Sequence, residues 1–368
     1  MKAISTHQFI IISIFVLLGP KLLTLQPSLF EFANKDAIWG LLVGTVIDLL
    51  VLTMVIFLIK KYPNLTFYEL LKSKLGVFIA KVLLITLLVF ILFKALFLYQ
   101  ETYSLFQQNL YDHLPLWVYL ISTVLVTGFI ASKGSRTIAR SLEFYYIIAF
   151  VGLFISALTA IISIQAENLL PFFENGTQPI IDSVFKTIFY FGNSFILLLF
   201  MGKVEMTKKF ILRNYIAYII TFVYLMGSSL IFYEVYGQCV IFSDFTIAEL
   251  PQYSPFVSDL GRLNWISMVV CTIMLYSLNC IFIWSANTCT KWISNTKDSG
   301  THTLINIGLV VLIAFFYNFN LTGMLENIYS YWSYASLGIL CLFTVTSIIL
   351  LCFKKKNEQS GGNNEQST

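Results

Sequence analysis

Long apolar runs recur along the chain and limit its possible folds more than any other feature. A helix of about 20 apolar residues spans the hydrocarbon core of a bilayer, which is roughly 30 Å thick. The hydropathy pattern predicts ten such helices, at residues 7–30, 37–59, 77–99, 116–131, 143–164, 184–202, 214–236, 264–287, 303–319 and 330–353. The sequence therefore predicts an all-α integral membrane protein with ten transmembrane helices.

The composition supports this prediction and excludes other classes of protein. Hydrophobic residues make up 58% of the 368-residue chain and charged residues 11%, whereas soluble domains carry about 25% charged residues. The formal net charge of +4 is small and dispersed along the chain, so no nucleic-acid partner is expected. The lipid bilayer is the expected surrounding of most of the chain.

The charges of the connecting loops alternate along the sequence. Basic residues follow every second apolar run, as at Lys60 and Lys208, whereas the other loops are acidic, with Glu101 assigned to the loop after the third run. Because basic loops stay on the cytoplasmic side, both termini are predicted to be cytoplasmic. Residues 1–353 are predicted to form a single membrane domain, and the polar residues 354–368 a disordered cytoplasmic tail.

The sequence contains no recognisable catalytic or metal-binding pattern. The three histidines, His7, His113 and His302, are far apart along the chain, so they predict neither a metal site nor an acid–base cluster. Motifs of phosphate-binding loops, nucleophile elbows and zinc proteases do not occur. We therefore expect no enzymatic activity, no metal and no cofactor.

Two charged residues lie deep inside the predicted membrane helices. At about 1.5 Å per residue, Lys21 in the first helix lies about 20 Å from the inner edge of the membrane and Asp48 in the second about 14 Å, a difference that a lysine side chain can bridge. Because either charge alone in hydrocarbon would cost several kcal/mol, we hypothesise that they form a buried ion pair. Two interpretations stay open. The pair either only holds the two helices together, or it takes part in ligand binding or proton coupling. Lys81 and Lys94 lie nearer helix ends and are predicted to extend to the membrane interface.

A second charged cluster is predicted at the cytoplasmic end of the fifth helix. Arg136, Arg140 and Glu143 follow one another there at helical spacing. A carboxylate near a helix start is electrostatically favourable. The prediction is a structural ion pair between these side chains.

Two predicted helices carry a break near their middle. Pro20 removes a backbone donor and Gly19 relaxes the chain in the first helix, and Gly192 lies in a small polar segment of the sixth. These helices hold corresponding positions in two five-helix halves, at about 5–164 and 184–353. Interrupted helices at matching positions indicate the binding site of an inverted-repeat transporter.

The chemistry of such breaks predicts the kind of ligand. Freed backbone amides suit a carboxylate and freed carbonyls suit an ammonium group. A small zwitterion such as an amino acid is therefore the predicted ligand. The predicted ligand-binding residues are Gly19, Pro20, Lys21, Phe191, Gly192, Asn193 and Ser194.

Several stretches resemble one known family in the same order. They are STHQFIIISIFVLLGPKLLTLQP at the start, SRTIARSLEFYYI at 135–147, NLLPFFENGTQPIIDSVFKTIFYFGNSFILLLF at 168–200 and SPFVSDLGRLNWISMVV at 254–270. With them the chain resembles the B subunits of bacterial spore germinant receptors, in the spore permease branch of the amino acid-polyamine-organocation superfamily. The third stretch is the most specific.

The resemblance implies a leucine-transporter-like fold with a 5+5 inverted repeat and broken helices 1 and 6. It also implies a location in the inner membrane of an endospore and a complex with a larger A subunit and a lipoprotein C subunit. There the protein would sense a nutrient, often an amino acid, and trigger germination. Relatives tend to have a Gly-x-Gly segment in place of Gly19-Pro20-Lys21 and an acidic residue in place of Asn193. A sugar, an ion or a nucleoside therefore stays open as the ligand.

Three functional hypotheses follow from these observations. The first is a subunit of a spore germinant receptor that binds a small nutrient and shifts a conformational equilibrium. The second is a proton-coupled amino acid permease, with Asp48 or Glu143 as proton carrier. The third is a scaffold subunit that binds no ligand, for which Lys21 inside the pocket is the main sequence argument.

Overall fold

The computed structural model describes residues 4–109, 113–161, 164, 173, 176–253, 264–296, 299–316 and 321–353. The predicted tail at 354–368 lies outside the described residues. Within these ranges the chain is helical, and an isolated β-bridge joins Ile4 to Val204. The α-helices are α1 (Thr6–Leu18), α2 (Leu25–Ala33), α3 (Ala37–Lys61), α4 (Phe67–Leu75), α5 (Val77–Asn109), α6 (Leu116–Ser132), α7 (Ser135–Ile161), α8 (Gln178–Thr187), α9 (Phe210–Tyr236), α10 (Thr246–Glu249), α11 (Asn264–Ser294), α12 (Ser299–Phe316), α13 (Leu321–Asn327) and α14 (Ser333–Cys352).

Seven helical segments in the described part of the chain are long and apolar enough to cross a membrane. They are Leu25–Lys61, Val77–Asn109, Ser135–Ile161, Gln178–Phe200, Phe210–Val240, Trp265–Ser294 and Leu321–Cys352. Three shorter apolar helices, Thr6–Lys21, Leu116–Ser132 and Gly300–Phe315, accompany them. The all-α membrane fold is thus confirmed. The arrangement of ten transmembrane helices as an inverted repeat stays a prediction.

Polar side chains define where several helices begin. Ser5 caps α1 by accepting a hydrogen bond from the Gln8 amide, and the Gln8 side chain accepts one from the Ser5 amide in return. Thr66 and Glu69 make the same reciprocal pair at the start of the short helix α4. Each pair satisfies backbone donors that a helix start leaves free.

Helices α5 and α11 form the interior of the molecule. Helix α5 is buried without interruption from Phe90 to Leu105, and α11 from Ser277 to Cys289. Both helices pack against each other and against several neighbours, so they face protein where the outer helices face lipid. Large apolar side chains such as Phe78 and Phe129 are exposed on the outside of the bundle.

The length of α5 corrects one prediction. Hydropathy ends the third span at residue 99 and places Glu101 in an outer loop, but the helix continues to Asn109 and buries Glu101 completely. Polar residues lower the mean hydropathy of this last part. Inside the bundle Glu101 accepts a hydrogen bond from the Thr24 hydroxyl, so the helix can continue with this residue buried.

The chain start and the end of the sixth predicted span lie side by side. The Ile4 amide donates to Lys203 O at 3.1 Å, and the Glu205 amide donates to Ile4 O at 2.8 Å. The Thr6 hydroxyl adds a hydrogen bond to Glu205 O. The beginning of the first interrupted helix and the end of the second are thereby held together.

Close packing of α7 on α11 gives a stability prediction. A Cβ added at Gly152 would lie 2.2 Å from Val270 Cγ2, whereas one added at Gly227 of α9 would meet nothing within 4 Å. Because valine has a stiff branched side chain, Gly152→Ala should destabilise the fold by about 1–3 kcal/mol. Gly227→Ala should not destabilise the fold, and the higher helix propensity of alanine should add up to about 1 kcal/mol. Thermal unfolding of the detergent-solubilised variants measures both effects, and equal unfolding temperatures would contradict the packing.

Candidate ligand site between two helix breaks

The first helix is interrupted at the position that Gly19 and Pro20 predict. Helix α1 ends at Leu18, a 3₁₀ turn covers Gly19–Lys21, and the chain resumes as α2 at Leu25. Gly19 lies against Leu278 of α11, where an added Cβ would be 2.8 Å from Leu278 Cδ2. The break therefore lies in the protein interior, where irregular backbone at membrane depth is tolerated.

The backbone groups freed by this break have partners. The Lys21 ammonium folds back and donates to Leu17 O at 2.5 Å. Thr246 of α10 donates to Leu23 O from its amide at 3.0 Å and from its hydroxyl at 2.8 Å. These contacts compensate for the lost helical hydrogen bonds.

The sixth predicted span is interrupted at the predicted Gly192. After α8 a 3₁₀ turn covers Ile188–Tyr190, Phe191 is extended, and Gly192 has a left-handed backbone with φ of 77°. This conformation favours glycine, which lacks a Cβ. The chain then continues as an eight-residue 3₁₀ helix, Asn193–Phe200, which is longer than such helices usually are.

Asp48 of α3 connects the two breaks. One carboxylate oxygen, Oδ2, lies 2.7 Å from Lys21 Nζ, and the other, Oδ1, accepts a hydrogen bond from the Gly192 amide at 2.8 Å. Both charged side chains are at most 3% exposed. The Phe191 ring lies 5.3 Å from the Lys21 ammonium. The structure thus brings Lys21, Asp48, Phe191 and Gly192 into one contiguous site.

Lys94 joins the same site, and its predicted path to the membrane interface is wrong. Its ammonium donates to Asn193 Oδ1 at 2.5 Å and to Phe189 O, and it lies over the rings of Phe90 and Phe189. The side chain is 2% exposed. Helix α5 is central, so a side chain at this position points into protein and has no route to the lipid headgroups.

The remaining predicted residues of the second break are also buried. The Asn193 side chain donates to Tyr190 O at 2.8 Å. The Ser194 hydroxyl is buried, and no hydrogen-bond partner for it occurs among the described residues. Asn193 therefore holds the break in shape, while Ser194 offers a polar group to the site.

Glu101 is a functional candidate that the sequence reasoning missed. Its carboxylate accepts a hydrogen bond from the Thr24 hydroxyl, which in turn lies 2.8 Å from the Tyr190 hydroxyl. Glu101 and Lys94 are seven residues apart on α5, which places them on the same face of a helix. This spacing could have indicated from the sequence that Glu101 shares a helix face with Lys94, but only if the helix is taken to extend beyond residue 99.

The predicted ion pair at the start of α7 is not the contact that the described residues make. Glu143 Oε2 accepts a hydrogen bond from Gln8 Nε2 of α1 at 3.0 Å. Arg136 and Arg140 are both exposed. Their side chains gain hydration by pointing away from the protein, while Glu143 ties α7 to α1.

Comparison with known proteins agrees with this architecture. A sequence model of the spore permease family, described as spore germination protein, matches residues 3–322. The chain belongs to the spore permease family. A spore germination protein of Bacillus subtilis (strain 168), YndE, is 25% identical over 210 residues, which are 56% of this spore permease and 58% of YndE.

Solved transporter structures share the fold of this spore permease. A manganese transporter of Eremococcus coleocola superposes with a TM-score of 0.60 at 12% identity, over 94% of this chain and 78% of that one. A Na⁺-coupled sialic acid symporter superposes with a TM-score of 0.57 at 12% identity, over 93% and 74%. Likeness at this identity establishes a transporter-like membrane fold.

The buried ion pair gives a double-mutant prediction. Asp48→Asn alone should destabilise the protein by about 3–5 kcal/mol, because it leaves the Lys21 ammonium buried without a counter-charge. Lys21→Met combined with Asp48→Asn should recover a large part of that loss, since no unpaired charge remains. Unfolding of the two single variants and the double variant in detergent measures the coupling. Wild-type stability of Asp48→Asn with Lys21 intact would contradict the pair.

Lys203, in the turn after the second break, gives a pH prediction. Burial, with a smaller contribution from the Lys291 charge, lowers the pKa of Lys203 to about 8, whereas an unfolded lysine has a pKa of about 10.4. Between these values the unfolded state binds more protons, so this group makes stability rise with pH. Lys203→Met should flatten the rise between about pH 8 and pH 10. The exposed Lys208 gives the control Lys208→Met, and a slope equally reduced in the control would contradict the assignment.

Proposed function

We propose that this spore permease is the nutrient-sensing subunit of a spore germinant receptor, and that it binds a small nutrient between the two helix breaks. An amino acid is the first candidate. The observation that carries the proposal is the position of Asp48, which contacts Lys21 of the first break and the Gly192 amide of the second. A ligand that changes either contact changes how the breaks are joined.

The internal contacts of the site match those that a zwitterion would make. The Lys21 ammonium binds the Leu17 carbonyl of the first break, and the Asp48 carboxylate binds the Gly192 amide of the second. These are the contacts expected for the two charged ends of an amino acid at such breaks. A zwitterion can exchange with them, its carboxylate pairing with Lys21 and its ammonium with Asp48.

Such an exchange supports a sensing mechanism. In the state described, the protein's own charges close the site. A nutrient that binds better to a state with separated Lys21 and Asp48 shifts the population toward that state. A shift from 1:99 to 99:1 requires about 5.5 kcal/mol of differential binding, whereas breaking one buried ion pair costs about 3–5 kcal/mol, so a ligand that exchanges with the pair can supply most of such a shift.

The partner subunits, the location and the membrane topology belong to the same proposal. The receptor would include a larger A subunit and a lipoprotein C subunit in the inner membrane of the spore, with both termini of this chain in the cytoplasm. The membrane part would consist of ten helices in a 5+5 inverted repeat of the leucine-transporter type. The transporter-like fold and the family of germination proteins support this setting.

Germination of spores that carry this subunit as the only variable part of a receptor tests the proposal. Amino acids, sugars and salts are screened by loss of refractility, with Lys21→Met and Gly192→Leu as site variants and Gly227→Ala as a packing-neutral control. We expect a single nutrient class to act, and both site variants to raise its half-maximal concentration by about tenfold or more, equal to at least about 1.4 kcal/mol. The control should respond as wild type.

Two results would replace the proposal. If the receptor needs the subunit for assembly but no nutrient response depends on Lys21 or Gly192, the protein is a scaffold. If reconstituted vesicles show counterflow of a labelled amino acid, the protein is a permease. Subunit abundance in each spore preparation is measured by immunoblot, so that a loss of response is separated from a loss of protein.

A further inference from the structure

A buried carboxylate lies where the two breaks meet. Glu101 is 1% exposed, and its Oε1 accepts a hydrogen bond from the Thr24 hydroxyl of the first break. Because the Thr24 proton is directed to Glu101, the Tyr190 hydroxyl of the second break donates to Thr24 at 2.8 Å. The other oxygen, Oε2, is buried, and no partner for it occurs among the described residues.

The cations of the site are already engaged by other groups. Lys21 pairs with Asp48 and Leu17 O, and Lys94 donates to Asn193 and Phe189 O. Among the described residues no lysine, arginine or histidine forms an ion pair with Glu101, since Lys21 pairs with Asp48, so Glu101 has no counter-cation. An ionised carboxylate buried in this way is strongly unfavourable, and protonation removes the charge.

The other titratable groups that face Glu101 supply no positive charge. They are Tyr190 of the second break, Tyr329 in the π-helical turn Ile328–Trp332, and Cys271 of α11. Tyr329 donates to the Ser28 hydroxyl at 2.6 Å, and Ser28 donates to Thr24 O at 2.5 Å. The titratable groups around the carboxylate are therefore neutral hydroxyl and thiol groups.

The backbone carbonyls nearby are also engaged, which disfavours a metal ion. Thr246 donates to Leu23 O, Ser28 to Thr24 O, and Asn193 to Tyr190 O. Hard cations require about six oxygen ligands, and the described residues contain no group of three or more acidic, histidine or cysteine side chains suited to a metal. The free carboxylate oxygen of Glu101 can therefore bind a proton but lacks the further oxygen ligands that a metal ion requires.

We propose that Glu101 is a proton-binding switch that joins the two breaks. A proton from the aqueous phase binds Oε2, and the neutral carboxyl keeps the hydrogen-bonded chain from Tyr190 through Thr24 intact. Release of the proton to water leaves a buried negative charge, which favours a state in which the breaks separate and water reaches the carboxylate. The switch would regulate the site of the proposed function, and in that sense rests on it, but its test requires no nutrient.

Hydrogen exchange of the full-length protein in lipid nanodiscs tests the switch. Exchange of residues 19–24 and 188–193 is compared for wild type and Glu101→Gln at the same pD, so that the intrinsic pH dependence cancels. The ratio of wild-type to variant rate should rise with pD, by up to about tenfold per unit for one linked proton. The exposed Glu31 gives the matched control Glu31→Gln, which should follow wild type.

A second variant keeps the test decisive if Glu101→Gln does not fold. Thr24→Val removes a donor that stabilises the ionised carboxylate, so the rise in exchange should move to higher pD, and loss of the link to Tyr190 should add an increase that does not depend on pD. An unmoved rise in Thr24→Val, or a wild-type to Glu101→Gln ratio that is constant with pD, would overturn the proposal. A response to sodium replacing choline at constant pD would also overturn it, in favour of a metal cation. The pD dependence of exchange can be absent while the germination response to a nutrient persists, and the germination response can be absent while the pD dependence persists. Failure of the proton switch is therefore distinguished from failure of the proposed function.

Discussion

The two-sided contact of Asp48 is the interaction on which the centre of the structure depends. A carboxylate in the membrane interior requires compensation on both oxygens, and here one is supplied by Lys21 and the other by the Gly192 amide. The same interaction places the two interrupted helices against each other. A change in the charge of this pair therefore affects helix packing and the candidate site together.

The interrupted helices persist because other elements satisfy their backbone. Thr246 of α10 binds the first break, Lys21 binds Leu17 O from within it, and Lys94 with Asn193 binds the second. Lipid could provide none of these hydrogen bonds. The breaks are thus stable only inside a folded bundle, where α5 and α11 surround them.

The site combines a transporter-like fold with a closed arrangement of charges. The fold is shared with transporters of manganese and sialic acid, and the charged groups at the breaks of this spore permease bind one another. A closed site of this kind suits a protein whose output is a conformational change, because a ligand must compete with an internal partner. The proposed switch at Glu101 would add a second group that acts on the same two breaks, through the hydrogen bonds of Thr24.

The sequence by itself determined the membrane class, the approximate helix positions and both breaks. A long apolar run predicts a membrane helix because the backbone must form its own hydrogen bonds in lipid. Gly19, Pro20 and Gly192 predict breaks because they change local backbone geometry. Neither prediction requires knowledge of how the helices pack. The depth of Lys21 and Asp48 was likewise countable along two helices. Only the tertiary structure decided the partners of Lys94, Glu101 and Glu143, because hydropathy gives the depth of a residue and leaves open which helix face points to lipid and which to protein. The burial of α5 turned one predicted interfacial lysine and one predicted loop carboxylate into parts of the site.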